Sequence, residues 1–114
     1  MSQITAALSL LQVFARIMKL GIEDGKDLGG MGLKLMEEVG EFAECINFQL
    51  GNLPHKQMKE PAIGEAADVI QNVLAILAKL YPDMSIDDLI RELSKQLELK
   101  TDKWQSVMFT RHGV

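Results

Sequence analysis

Two groups of carboxylates dominate the chemistry this chain can do. The first is Glu37, Glu38 and Glu41, with Glu44 one helical turn further on. The second is Glu65 and Asp68, with Asn72 one turn further on; Glu65 follows Glu41 by 24 residues. On a helix, residues three and four apart share a face, so each group forms a local acidic surface. Like charges at that spacing repel unless a cation sits between them. Hard divalent cations take oxygen ligands, and Mg2+ is usually held by a few carboxylates together with substrate phosphates. Two facing carboxylate groups therefore suit Mg2+ and a polyphosphate. An acidic run also has an ordinary reading as the solvated face of a helix, glutamate being a good helix former. Two clusters on consecutive helices, each beside an apolar stripe, put cation binding level with that reading.

The elements that must hold these acids are all helical. Apolar residues recur at helical spacing over 2–20 (Ile4, Leu8, Leu11, Phe14 or Ala15, Met18), with Ser2 as an N-cap and Gly21 as a stop. Leu10, Val13 and Ile17 widen that face beyond what one neighbour covers, which suggests a partner subunit. Residues 21–32 read as a glycine-rich loop without the order of a phosphate-binding loop. It is expected to be a connector, with a lid in which Lys26 or Lys34 reaches phosphate as the alternative. A second helix is predicted over 31–49, its core stripe Met31, Leu35, Val39, Phe42 and Ile46. After a turn or irregular link at 50–60, a third helix is predicted over 61–80, with Pro61 in its first turn. Its core face is Ile63, Ala67, Ile70, Leu74 and Leu77. Ser85 and Asp88 form a capping pair that starts a fourth helix. That helix carries Leu89, Leu93, Leu97, Lys100 and Trp104 along one face and reaches as far as Met108 unless Thr101 and Asp102 bend or end it. Residues 110–114 are expected to fray. No stretch alternates well enough to be a strand, so the fold class is all-α, a four-helix bundle in a single domain over 1–114.

Composition narrows the function classes. The chain has 114 residues and a formal net charge of -4, which argues against a dedicated surface for a nucleic-acid polymer. Its single cysteine, Cys45, excludes a disulfide framework within the chain and fits a reducing, cytoplasmic setting. Cys45 reads as core rather than as a nucleophile. His55 has no second histidine or cysteine nearby, so zinc is not expected. The absence of an uninterrupted apolar run of about 18 residues gives no expectation of a membrane span. The N-terminus lacks the basic region of a signal peptide.

The pattern EExxE followed by ExxD, in the words KLMEEVGEFAE and IGEAADVIQNVLAIL, resembles the MazG-like all-α nucleoside triphosphate pyrophosphohydrolases. The resemblance covers roughly residues 28–104. It implies that Glu37, Glu38, Glu41, Glu65 and Asp68 bind Mg2+, with Mn2+ as a substitute. It implies that water attacks the α-phosphorus of a nucleoside or deoxynucleoside triphosphate, releasing the monophosphate and pyrophosphate, as in nucleotide-pool housecleaning. It further implies a homodimer or homotetramer with sites lined from more than one subunit. Within that frame Glu37, Glu41, Glu65 and Asp68 are the expected direct ligands. Glu38, with Glu41 as the other catalytic candidate, is expected to orient or deprotonate water, with direct ligation as its alternative. Lys34 would neutralise phosphate charge, Asn72 would donate to sugar or phosphate, and Phe48 would stack on the base. The rival readings are a non-catalytic helical interaction module and an acidic metal-binding protein.

Overall fold

The computed structural model describes residues 3–52 and 61–112. Among them there are four helices and no strand: α1 (Gln3–Glu23), α2 (Leu28–Gln49), α3 (Ala62–Leu80) and α4 (Ile86–His112). The all-α bundle expected from the periodicity is what forms. The link at 53–60, with His55, lies outside the described residues.

Local chemistry sets the helix ends, and two of them differ from expectation. Gly21 does not stop α1. It lies inside the helix, buried, where a Cβ would come within 2.7 Å of the Ala75 Cα. The missing side chain is used for backbone-to-backbone contact between α1 and α3, not for a turn. The expected glycine-rich loop is also short. Asp27 caps α2, its Oδ1 accepting the Gly30 amide at 2.7 Å, so Gly29, Gly30 and Gly32 belong to the first turns of the helix. Lys79, near the end of α3, donates to the Lys26 carbonyl and ties the short 24–27 connection to the bundle. Pro61 sits at the N-cap position of α3. The cap predicted at Ser85 is present, its Oγ accepting the Asp88 amide at 3.0 Å. Gly51, just past the end of α2, takes a φ of 82°, the left-handed conformation glycine tolerates. α4 passes through Thr101 and Asp102 without a break.

α3 is the central element, packed against α2 and α1. The buried cluster joins Met18 of α1, Leu74 and Ala78 of α3 and Leu89 of α4, with Phe14, Ile17, Leu77, Ile90 and Leu93 packed around it. This core lies at the C-terminal end of α3 and is small for the chain. The stripes predicted as core are therefore only partly covered. Leu74 is buried and Leu77 half-buried, but Ala67 and Ile70 are exposed and Ile63 is 81% exposed. On α2 the buried line is Met31, Glu38 and Cys45, while Val39 and Ile46 face outward. The helix is rotated relative to the expected stripe so that a glutamate, not a valine, faces α3. On α4, Leu97 is exposed and Trp104 is 66% exposed. By length and composition α1 is apolar enough to cross a membrane, although no uninterrupted apolar run marks it in the sequence.

A candidate metal centre between two helices

The acid positions follow from helical geometry. Glu38 stands seven residues from both Met31 and Cys45, two turns away on the same line, and that line faces α3. At about 100° per residue, Glu41 lies about 60° to one side of Glu38 and Glu37 about 100° to the same side. From α3, Glu65 and Asp68, one turn apart, approach the same space. The result is a cluster of Glu38, Glu65 and Asp68 in which one carboxylate oxygen from each lies within 4.8 Å of the others. Glu38 is 6% exposed and Glu65 7%, while Asp68 is half-buried.

Three of the five predicted acids are thus brought together. Glu37 and Glu41 are exposed on the flank of α2 and do not join the cluster. The expected division of labour changes accordingly: in this single chain the geometry gives Glu38 the inward place that the sequence reading had given to Glu37 and Glu41. Glu44 is half-buried, one turn beyond Glu41.

The charge balance of the cluster is uneven. Lys34, one turn before Glu38, places its Nζ 3.2 Å from Glu38 Oε1 and 3.6 Å from Glu37 Oε1. The hydrogen bond to Glu38, then the nearby charges of Glu37 and Glu38, hold the Lys34 ammonium above the ordinary lysine range. The second oxygen of Glu38, Oε2, is buried and accepts no hydrogen bond. A buried carboxylate oxygen left without a donor is costly and calls for an explanation such as an ion. Three carboxylates from two rigid helices are an appropriate donor set for a hard divalent cation, which prefers oxygen. The residues present fit such an ion.

Beside the cluster lies a cavity of about 480 Å3, within the usual size for a small-molecule site. Its floor is apolar, formed by Ile17, Leu20, Gly21, Met31 and Ala75, and its polar rim includes Asp24, Asp27, Gln71 and Asn72. Lys34 belongs both to this cavity and to the acid cluster. Asn72 faces the cavity while its side-chain amide donates to the Asp68 carbonyl at 2.8 Å, anchoring it to its own helix. Phe48 is half-buried and is not among the residues lining the cavity. The sequence reading did not anticipate the α1 contribution of Ile17, Leu20 and Gly21; Gly21, read as a helix stop, was the available signal.

Comparisons with protein-family models, with curated proteins and with solved structures found no match for this chain.

Proposed function

We propose that the chain binds a divalent cation between α2 and α3, through Glu38, Glu65 and Asp68. The observation that carries this reading is the buried Glu38 Oε2, which accepts no hydrogen bond within a three-carboxylate cluster. Titration calorimetry with Mg2+ and Mn2+ tests it directly. One equivalent bound, and lost in Glu38→Gln and Asp68→Asn, is the expected result. No heat with either ion in the unsubstituted chain would remove the reading.

A finer reading is favoured by the cavity that adjoins the cluster and shares Lys34 with it. In this reading the chain is a Mg2+-dependent nucleoside triphosphate pyrophosphohydrolase of the MazG-like kind, cytoplasmic and assembled as a homodimer or homotetramer. The motif resemblance supports it. A bound cation supplies the local positive charge that a triphosphate needs beside carboxylates, and it activates water. The chain's own groups have separate tasks. Lys34 takes phosphate oxygens at the mouth of the cavity. The apolar floor and the Gln71 and Asn72 amides receive the organic part of the substrate. Glu41, on the exposed flank one turn from Glu38, takes the proton of the attacking water. Fixed positioning on two helices is what phosphoryl transfer chiefly asks of a protein.

The test is a panel of common, oxidised and methylated nucleotides, with products separated by anion exchange. Monophosphate and pyrophosphate in equal amounts, lost with chelator, are expected. Glu41→Gln and Asp68→Asn should each abolish most turnover with helicity intact, and Glu44→Gln should be milder. Diphosphate with orthophosphate would defeat the regiochemistry. Cation binding without turnover on any nucleotide would leave the protein a metal-binding helical module.

A further inference from the structure

Lys34 borders two places and has one charge to give. Its Nζ is 3.2 Å from Glu38 Oε1 and 3.6 Å from Glu37 Oε1. It also lines the cavity beside the cluster, together with Lys26, Gln71 and Asn72. Lys34 is exposed, whereas Glu38, its nearer partner, is buried. The lysine is therefore the movable member of the pair, a compact charge on a flexible four-carbon stem.

The pairing makes the two oxygens of Glu38 unlike. Oε1 meets the ammonium, and Oε2 is buried without a hydrogen-bond donor. Lys34 thus answers half of one carboxylate in the cluster of Glu38, Glu65 and Asp68. A divalent ion in that cluster offsets two of its three formal charges, so the attraction that keeps Lys34 inward weakens. The ion also sets positive charge close to the ammonium, and like charges repel. Of two cations sharing Glu38, the divalent one is held from two helices and the lysine by one stem. The lysine is the one that yields.

We propose that Lys34 is a tethered counter-ion of the metal-free cluster, displaced from Glu38 by the divalent cation and handed to a phosphate group in the cavity. The inference rests on the cation site proposed above and adds an order to it: cation first, phosphate second. In the metal-free chain Lys34 is engaged with Glu38 and Glu37, and Asp24 and Asp27 put negative charge on the cavity rim. A phosphate arriving alone meets a paired lysine and two carboxylates. Once the cation is seated, the lysine is released beside the cavity it already lines. The two binding events then favour each other, and by linkage each raises the affinity for the other by the same factor. Lys26 is the contrast. It lines the same cavity, but its ion pair is with Asp24 at 3.9 Å and not with a carboxylate of the cluster.

The test is titration calorimetry of the full chain with Mg2+, in the absence and presence of inorganic phosphate. Lys34→Met should bind Mg2+ alone about two- to tenfold more tightly than the unsubstituted chain, because no tethered charge competes. Lys34→Arg, which keeps the charge, should stay near the unsubstituted value, and so should Lys26→Met. Inorganic phosphate should tighten Mg2+ binding in the unsubstituted chain, and Lys34→Met should lose most of that gain. Methionine is a good helix former, and Lys34→Gln serves as a second neutral variant should Lys34→Met fail to fold. Equal or weaker Mg2+ binding in the neutral variants would overturn the proposal, since Lys34 would then merely hold Glu38 in place. Tightening by Lys26→Met to the same extent would overturn it too, by reducing the effect to net charge. An undiminished phosphate gain without Lys34 would mean that phosphate meets the ion directly and would end the hand-over. Absence of Mg2+ binding in every variant removes the cation site and this proposal together, whereas Mg2+ binding indifferent to Lys34 removes this proposal alone.

Discussion

The two ends of α3 are built on opposite principles. Its C-terminal end buries Leu74 and Ala78 among Met18 and Leu89. Its N-terminal end buries Glu65 beside Glu38 and leaves Ile63 and Ile70 outside. The apolar end gains free energy from removing hydrocarbon from water. The acidic end gathers carboxylates whose mutual repulsion a bound cation would relieve. One helix thus carries an apolar core at one end and an acidic cluster with the donor set for a cation at the other, and the division can be tested by substitution at either end.

The largest effect should come from the apolar end. Leu74→Ala should cost about 2 to 5 kcal/mol, the range for a buried leucine truncated in a well-packed core. Denaturant midpoints measure this, and the loss should be equal with and without Mg2+. A loss that depends on the ion would mean that the two ends are coupled.

Glu38→Gln should do the reverse. Replacing a buried charge with a neutral group of the same shape should cost the metal-free protein little stability, because relief of the repulsion from Glu65 and Asp68 offsets the loss of the Lys34 pair. It should instead erase the ion-dependent rise in Tm, which for the unsubstituted chain corresponds to about 2.7 kcal/mol at a hundredfold excess over Kd. Glu41→Gln should retain most of that rise, since Glu41 stands outside the cluster. Equal loss in the two variants would restore Glu41 as a ligand.

Much of this arrangement is legible from the residues. Glu65 and Asp68 share a face of one helix and Glu38 lies on the helix before it, and Pro61 and Ser85 mark the starts of α3 and α4. The rotation of α2 is not legible, because Val39 and Glu38 are neighbours and periodicity alone favours valine as the inward residue. Burying Glu38 contradicts that preference, and departures of this kind are where functional sites are looked for. The Gly29, Gly30 and Gly32 stretch reads as a loop because glycine is a poor helix former. Asp27, whose carboxylate accepts the otherwise free Gly30 amide, outweighs that preference. The stripe Ile63, Ala67, Ile70 and Leu74 is apolar as read, but among the described residues only its C-terminal end at Leu74 is covered.

A smaller effect sharpens the boundary between the two ends. Asp27→Ala should cost about 1 kcal/mol by removing the α2 cap. It should also loosen the cavity rim, seen as faster amide exchange at residues 28–31, while Ser85→Ala costs a similar amount without touching the cavity.

The smallest effect concerns pH. Lys34 is raised from its ordinary 10.5 by its bond to Glu38 and by Glu37. A group raised in the folded state contributes fully below its unfolded value and loses that contribution as pH climbs through the folded one. Stability should therefore fall slightly above pH 10.5, and Lys34→Met should flatten that limb. Lys34 is exposed to solvent, so added salt should shrink the difference.

The contact between Gly21 and Ala75 has a mechanical meaning. Both residues also line the cavity, so its floor is the point where two helix backbones touch. No flexible side chain cushions that point, and α1 rests on α3 there as a lever on a fulcrum. Next to that point Ile17 and Leu20 border the cavity, and further along the same arm lie the bare Ile4, Leu8 and Leu11. A tilt that widens the cavity must swing those residues, and anything that grips them must set the cavity's width. Gly21→Ala, which lifts the fulcrum, should shift both the self-association constant and the affinity for a cavity ligand. A shift in one with none in the other would show that the lever does not turn.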